Sequence, residues 1–285
     1  MSEPGSICLL EDLGLMRIHG PEALQFLQGQ LSNDISLLSA ASVQRAGLHN
    51  PQGRTLALLW LVRTAPHDIS AILPLELLPA IAASLRRYVL RAKLSISDET
   101  AQYRILGASA ASSKTVGGAR FAYHGDRVLL IDSVTAPPPI AAMTREHWRA
   151  LDIAAGLPQV YAATSGQFVA QMLNLDCIDA VSFTKGCYTG QEVIARAHYR
   201  GRVKRRMQRF LSSSPLRLQP GDAARLADGR NLRVVEAVQR QDGHCEFLAV
   251  APWPGATPDA EDSGAARGSA SLLCESLPLP YALPA

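Results

Sequence analysis

The sequence predicts an α+β protein ending in a small antiparallel β domain, and three observations predict it. Up to about residue 200, segments that alternate apolar and polar residues interleave with segments whose apolar residues recur at helical spacing. Beyond residue 206, short β-prone segments are punctuated by QPGD, ADGR and QDGH; Asp-Gly there signals a hairpin, because glycine supplies the positive φ of the turn. With 285 residues, 47% hydrophobic and 19% charged, the chain has globular composition and length for about two domains of the usual ~150 residues.

The elements follow in order. LGLMRIHG (13–20) alternates as a half-buried strand does. Gly20 and Pro21 mark a helix start, with Pro21 tolerated in the first turn because its missing N–H has no partner there. That helix, EALQFLQGQL, carries Leu24, Phe26, Leu27 and Leu31 at helical spacing. LALLWLV (56–62) is a second strand, residues 74–92 a second helix, and RVLLIDSV (127–134) a further strand. GASAASSKTVGG (107–118) and TAPPPIAA (135–142) read as loops. MQRFLSS, LRVVEAVQR and CEFLAVAPW are strands of the final β domain, and the Gly/Ala/Ser-rich residues 255–270 form a long loop.

Composition excludes several classes. The start, MSEPGSICLLEDLG, lacks the basic and apolar regions of a signal peptide, and no stretch reaches ~18 uninterrupted apolar residues, so no membrane association is expected. The five cysteines (Cys8, Cys177, Cys187, Cys245, Cys274) are scattered with no C-x-x-C pair, against a disulfide framework or a cysteine-built metal site. A reducing, cytoplasmic setting fits them. The seven histidines show no metal-ligand spacing and read as surface or satisfied residues, so no bound metal is expected.

The least ordinary stretch is TKGCYTGQEVIARAHYRGRVKRR, residues 184–206. Gly186 and Gly190 bracket Cys187, Tyr188 and Thr189, and QEVIARAHY then reads as a short helix with Glu192 in its first turn. Helix-start N–H groups, Lys185, and Arg196 and Arg200 folding back would together favour a thiolate at Cys187; a buried, inert thiol is the alternative. Between Glu192 and Asp222 there is no acid but eight cations: Arg196, Arg200, Arg202, Lys204, Arg205, Arg206, Arg209 and Arg217. The net charge of +3 thus becomes −5 without that run, which suggests an anionic partner at one place or a solvated charged face. Tyr199 and Phe210, interleaved with the cations, would let the run track phosphates and stack a base, as a tRNA-binding segment does.

VSFTKGCYTGQEVIAR (181–196) resembles the signature of the YgfZ family, folate-binding relatives of the glycine-cleavage T-protein. FLQGQLSNDI (26–35), NPQGR (50–54) and AAGLPQVYAATSGQFVAQMLNLD (154–176) are similar to further family segments, so the resemblance spans roughly residues 12–210. It implies a T-protein-like modular fold around a central folate cavity: residues 1–200 as two submodules, the insert roughly 45–100, and 201–285 as an antiparallel β-barrel-like domain. It also implies a tetrahydrofolate-binding accessory protein that supports assembly or repair of iron–sulfur enzymes, with a link to tRNA modification. Cys187 is then the candidate functional thiol with Lys185 beside it, and Trp148, Tyr188, Gln191, Glu192, Arg196 and Arg200 the candidate folate-binding residues. Trp148 falls where members carry a folate-associated Trp, whose flat indole suits stacking on a pterin or aminobenzoyl ring. The basic run would grip the polyglutamate tail of a cellular folate, or an acidic partner.

This chain departs from the family in three places. Leu13 stands where some members carry an early Trp, and Ala154 where many read I-E-A-G, with a carboxylate suited to the pterin's amino and ring N–H groups. Asp152 compensates only if the backbone turns it inward. Ala57 and Leu58 occupy the places of the T-protein's acidic pair, and no acid lies between Asp34 and Asp68. Without that acid no group assists attack of the folate nitrogen, so aminomethyltransferase activity is not expected.

Overall fold

The computed structural model describes residues 7–201, 203–253 and 271–284. Five antiparallel strands form its central sheet, in the order β3 (Gln44–His49), β4 (Thr55–Ala65), β5 (Asp68–Pro74), β2 (Leu13–His19) and β6 (Ser95–Asp98). In β4, Ala57, Leu59 and Leu61 join one core with Leu27 of α1 (Ala23–Gln30) and Leu85 of α2 (Leu78–Val89). Trp60 and Val62, on the other face, join a second core with Leu129 and Ile131. Burial on both faces explains why the strand reads as an unbroken apolar run rather than an alternating one.

The second core lies against a four-stranded sheet, ordered β1 (Ile7–Leu9), β7 (Tyr103–Ser109), β9 (Arg127–Ser133), β8 (Ala119–His124). α3 (Arg145–Ala154) follows, with Thr144 as N-cap: its hydroxyl accepts from the His147 N–H at 3.2 Å. α4 (Gln191–Tyr199) precedes a curled six-stranded sheet that forms a half-barrel. Its order is β14 (Ser271–Leu272), β11 (Ala223–Leu226), β12 (Asn231–Gln239), β13 (Cys245–Pro252), β10 (Arg205–Ser212), β15 (Cys274–Leu277).

In β12, pairing with β13 slips between Val234 and Glu236. Val234 faces the half-barrel's own core with Phe247, and Val235 faces the central core. Strict alternation would return Glu236 to the side of Phe247. The bulge instead sets Glu236 opposite Leu248, on the central side.

The expected α+β class and C-terminal β domain are present. Gly221, Gly229 and Gly243, in the three predicted turns, all have positive φ. Four local expectations need correction. Pro21 lies in the turn before α1 rather than in its first turn. The helix expected over 74–92 is confined to 78–89, because Pro74 closes β5 and Leu90 turns to positive φ. Gly107, Ala108 and Ser109 end a strand instead of opening a loop. Residues 255–270 lie outside the described residues. No helix among the described residues is long and apolar enough to cross a membrane.

Candidate functional site

Three motifs far apart in sequence meet at the signature loop. The Lys185 ammonium, only 8% exposed, donates to the carbonyls of Gln28 (2.6 Å), Leu31 (2.6 Å) and Asn33 (2.9 Å). Those carbonyls lie at and just beyond the end of α1, where backbone acceptors have no helical partner. Burial pushes the Lys185 pKa down to about 8, yet three carbonyl partners at hydrogen-bond distance require all three N–H groups of the protonated form. Gly190, at φ +83°, closes the loop against the NPQGR turn: a Cβ there would stand 2.5 Å from the Asn50 carbonyl oxygen. Tyr188 is buried beside His49, ring centroids 6.2 Å apart.

Lys185 was expected to act on Cys187, but its three donors are spent on α1 and the segment after it. Cys187 itself is exposed. Of the candidate folate ligands on α4, Glu192, Arg196 and Arg200 are exposed, Gln191 half-buried. They share a surface with Cys187 and are separate from Trp148. The basic run is also divided. Arg206 is buried in a two-pronged pair with Asp176, both contacts 2.9 Å, and Arg209 pairs with Glu246 at 2.6 Å. Phe210 is a core residue stacked on Phe247, so it offers no surface for a base. Arg202 lies outside the described residues. What stays at the surface is a cluster of rings: His198 stacks on Phe183 at 3.7 Å, and Tyr199 meets both edge-on.

A second feature is a cleft where α3, the central sheet and the half-barrel meet. Arg145, Trp148, Arg149 and Asp152 fall at helical positions i, i+3, i+4 and i+7, so α3 turns one face into it. Leu13 and Trp60 contribute from the central sheet, Gln159 and Tyr161 from the segment after α3, and Glu236 from β12. Asp152 is turned inward, and it pairs with Arg127 at 2.9 Å. Glu236 accepts a hydrogen bond from the Tyr161 hydroxyl and one from the Ala237 N–H at 3.2 Å. Burial pushes both carboxyls up, Glu236 to about 7. Trp148 is 2% exposed and packed by Gly107, Tyr123 and the Arg127 guanidinium, so its ring face is closed to stacking. The indole N–H groups of Trp60 and Trp148 and the Gln159 amide nitrogen are buried without partners. Such groups are costly unless a ligand or water completes them.

That donor and acceptor set fits a flat, polar heterocycle. The free volume is about 30 Å³, room for a water or two. A ring therefore enters as the lining moves apart, and the Arg145 and Arg149 side chains, 40% and 28% exposed, are the most mobile part of the rim. A broad groove shares Leu157 with the cleft and ends at Phe183 and Thr184, three residues before Cys187.

Sequence reasoning did not find Glu236, Tyr161, Arg149 or Gln159. The i, i+3, i+4, i+7 spacing of α3 and the lone acid inside LRVVEAVQR were the available signals. His49 was read as surface or satisfied; it is buried with neither ring nitrogen partnered, and burial pushes its pKa down to about 3, keeping it neutral.

No protein-family model matches the sequence. The chain is 30% identical over 282 residues to the tRNA-modifying protein YgfZ of Sodalis glossinidius (strain morsitans), which covers 87% of this chain and 85% of that protein. The chain belongs to the YgfZ family. The YgfZ protein of Serratia proteamaculans (strain 568) is 29% identical over 315 residues, covering 98% of this chain and 93% of its own. Among solved structures, aminomethyltransferase T of the glycine cleavage system from Bartonella henselae superposes with a TM-score of 0.63 at 14% identity, covering 87% of this chain and 79% of that one. The fold of this YgfZ-family chain is therefore T-protein-like. Ala57 and Leu58, where that relationship would place the acidic pair, are fully buried in β4.

Proposed function

We propose that this YgfZ-family protein binds tetrahydrofolate in the cleft between α3 and β12 and acts as an accessory factor for iron–sulfur enzymes, with Cys187 as its working thiol. One observation carries the folate reading: buried, unpartnered N–H donors at Trp60, Trp148 and Gln159 converge with the carboxylates of Asp152 and Glu236. A reduced pterin has both acceptor and donor edges and would complete this set. Cys187 sits apart, exposed beyond the end of the adjoining groove. The chain's own residues thus divide the work, the cleft holding the pterin and the surface loop presenting sulfur. Aminomethyl transfer is not part of the proposal, since the T-protein's acidic pair is replaced by Ala57 and Leu58.

The test compares wild type with Cys187→Ser, scored for tetrahydrofolate affinity by calorimetry and for rescue of iron–sulfur enzyme activity in cells lacking the protein. Intact binding with lost rescue is expected. No tetrahydrofolate binding by the wild type would end the folate reading, and full rescue by the Ser variant would end the thiol's role.

A second reading, a contact to tRNA, is favoured by the ring cluster of Phe183, His198 and Tyr199 beside the exposed Arg196 and Arg200. Relatives carry the name tRNA-modifying protein. This reading expects affinity for tRNA that falls steeply with salt and drops on Tyr199→Ala; salt-insensitive or absent binding removes it.

A further inference from the structure

The carboxylate that many relatives place at the I-E-A-G position is absent here, at Ala154. We propose that Glu236 replaces it, reaching in from β12 to accept the two adjacent N–H groups of the pterin, its 2-amino group and N3–H. This rests on the folate reading above and names the residue that would recognise the ligand's donor edge.

Position supports it first. The β12 bulge is what brings Glu236 into the cleft; regular pairing would have put this acid in the half-barrel's own core, against Phe247. A bulge that buries an acid in the wall of a cleft costs stability, and such features collect at functional sites.

Hydrogen-bond accounting supports it second. Of the two buried carboxylates in the cleft, Asp152 is held by Arg127 at 2.9 Å. Glu236 has no ion-pair partner among the described residues. Its two protein contacts are neutral donors, the Tyr161 hydroxyl and the Ala237 N–H, one on each oxygen. Each oxygen therefore keeps an acceptor position. Two parallel acceptors match two parallel donors, the pairing that makes carboxylates effective against fork-shaped donor edges.

Position 154 supports it third. Ala154 closes α3, the helix that carries Asp152, and α3 packs on β12. An acid on α3 or one on β12 can thus serve the same cleft from opposite walls.

Glu236→Gln keeps the side chain's size and an acceptor for Tyr161, but turns one acceptor into a donor that opposes the pterin's own. Tetrahydrofolate affinity is expected to fall at least tenfold, and Ala154→Glu added to that variant is expected to restore it to within threefold of wild type. Affinity within twofold of wild type in Glu236→Gln overturns the inference while leaving folate binding intact. A wild type that binds no tetrahydrofolate instead fails the folate reading, and the inference with it. One measurement needs no variant: the wild type is expected to bind 2-desamino-2-methyl-tetrahydrofolate at least tenfold more weakly than tetrahydrofolate. Equal affinities for the two overturn the inference.

Discussion

Lys185 donates to the carbonyl of Leu31 at 2.6 Å, across 154 residues of sequence, and so fastens the signature loop to the end of α1. The most distinctive lysine of the motif is an internal tie. Lys185→Met removes the charge and leaves the three carbonyls of Gln28, Leu31 and Asn33 without their donor. The loss expected is about 2–4 kcal/mol of unfolding free energy, since unsatisfied buried acceptors cost ~1–3 kcal/mol each and partly recover water. Urea denaturation checks it; a variant within 0.5 kcal/mol of wild type, on the scale of an ordinary surface change, would show that the tie is not structural.

Gly190 carries the other side of the same loop. At φ +83° with the Asn50 carbonyl 2.5 Å from where a Cβ would sit, Gly190→Ala meets both backbone strain and a backbone clash. A destabilisation above about 1 kcal/mol is expected. Gly186, with open space around its missing Cβ and no positive φ, is the control: Gly186→Ala is expected to be near neutral. Equal effects at both glycines would contradict this account.

Glu236 makes stability depend on pH. Burial raises its folded pKa from 4.5 to about 7. Between those values the folded state holds a proton that the unfolded state has released, so stability falls as pH rises through 4.5 to 7. Above pH 7 the full penalty is present, on the order of 2–3 kcal/mol. Glu236→Gln abolishes that ionisation, so the variant is expected to match wild type near pH 4.5 and exceed it at pH 8. Denaturation curves at the two pH values decide; a variant less stable at pH 8 would mean that the ionised form is held better than its burial implies.

What the sequence conveyed depended on whether local chemistry or tertiary pairing sets each feature. The turns with Asp-Gly, the cap at Thr144 and the apolar run of β4 are dictated within a few residues, and all are legible. Glu236 is not, because its direction depends on a slip in pairing with β13 that no pattern inside LRVVEAVQR announces. Alternation would have placed it wrongly. Lys185 fails for the opposite reason: its spacing to Cys187 suggested an electrostatic partner, while its long, flexible stem reaches carbonyls that are distant in sequence. Trp148 was found through family resemblance, but its packing against Gly107 and Arg127 is a tertiary fact.

The basic run shows the same divide, and the last prediction follows from it. Counted in sequence it is one patch, yet β10 alternates, and the strand turns Arg206 inward to Asp176 with both side chains only 4% exposed. Removing one partner of a buried pair strands the other, at a cost of about 3–5 kcal/mol. Asp176→Ala is therefore expected to destabilise the protein by that order, and Arg206→Ala likewise. Arg200, exposed at the end of α4, is expected to change stability by no more than ~0.5 kcal/mol when replaced by Ala. If the run grips an anionic partner, whether a glutamate tail or tRNA, Arg200→Ala is the substitution that weakens binding without weakening the fold. Measuring denaturation and ligand affinity on Asp176→Ala and Arg200→Ala separates the two roles. A stable Asp176→Ala protein would refute the buried pair as the strut between the half-barrel and the segment before the signature.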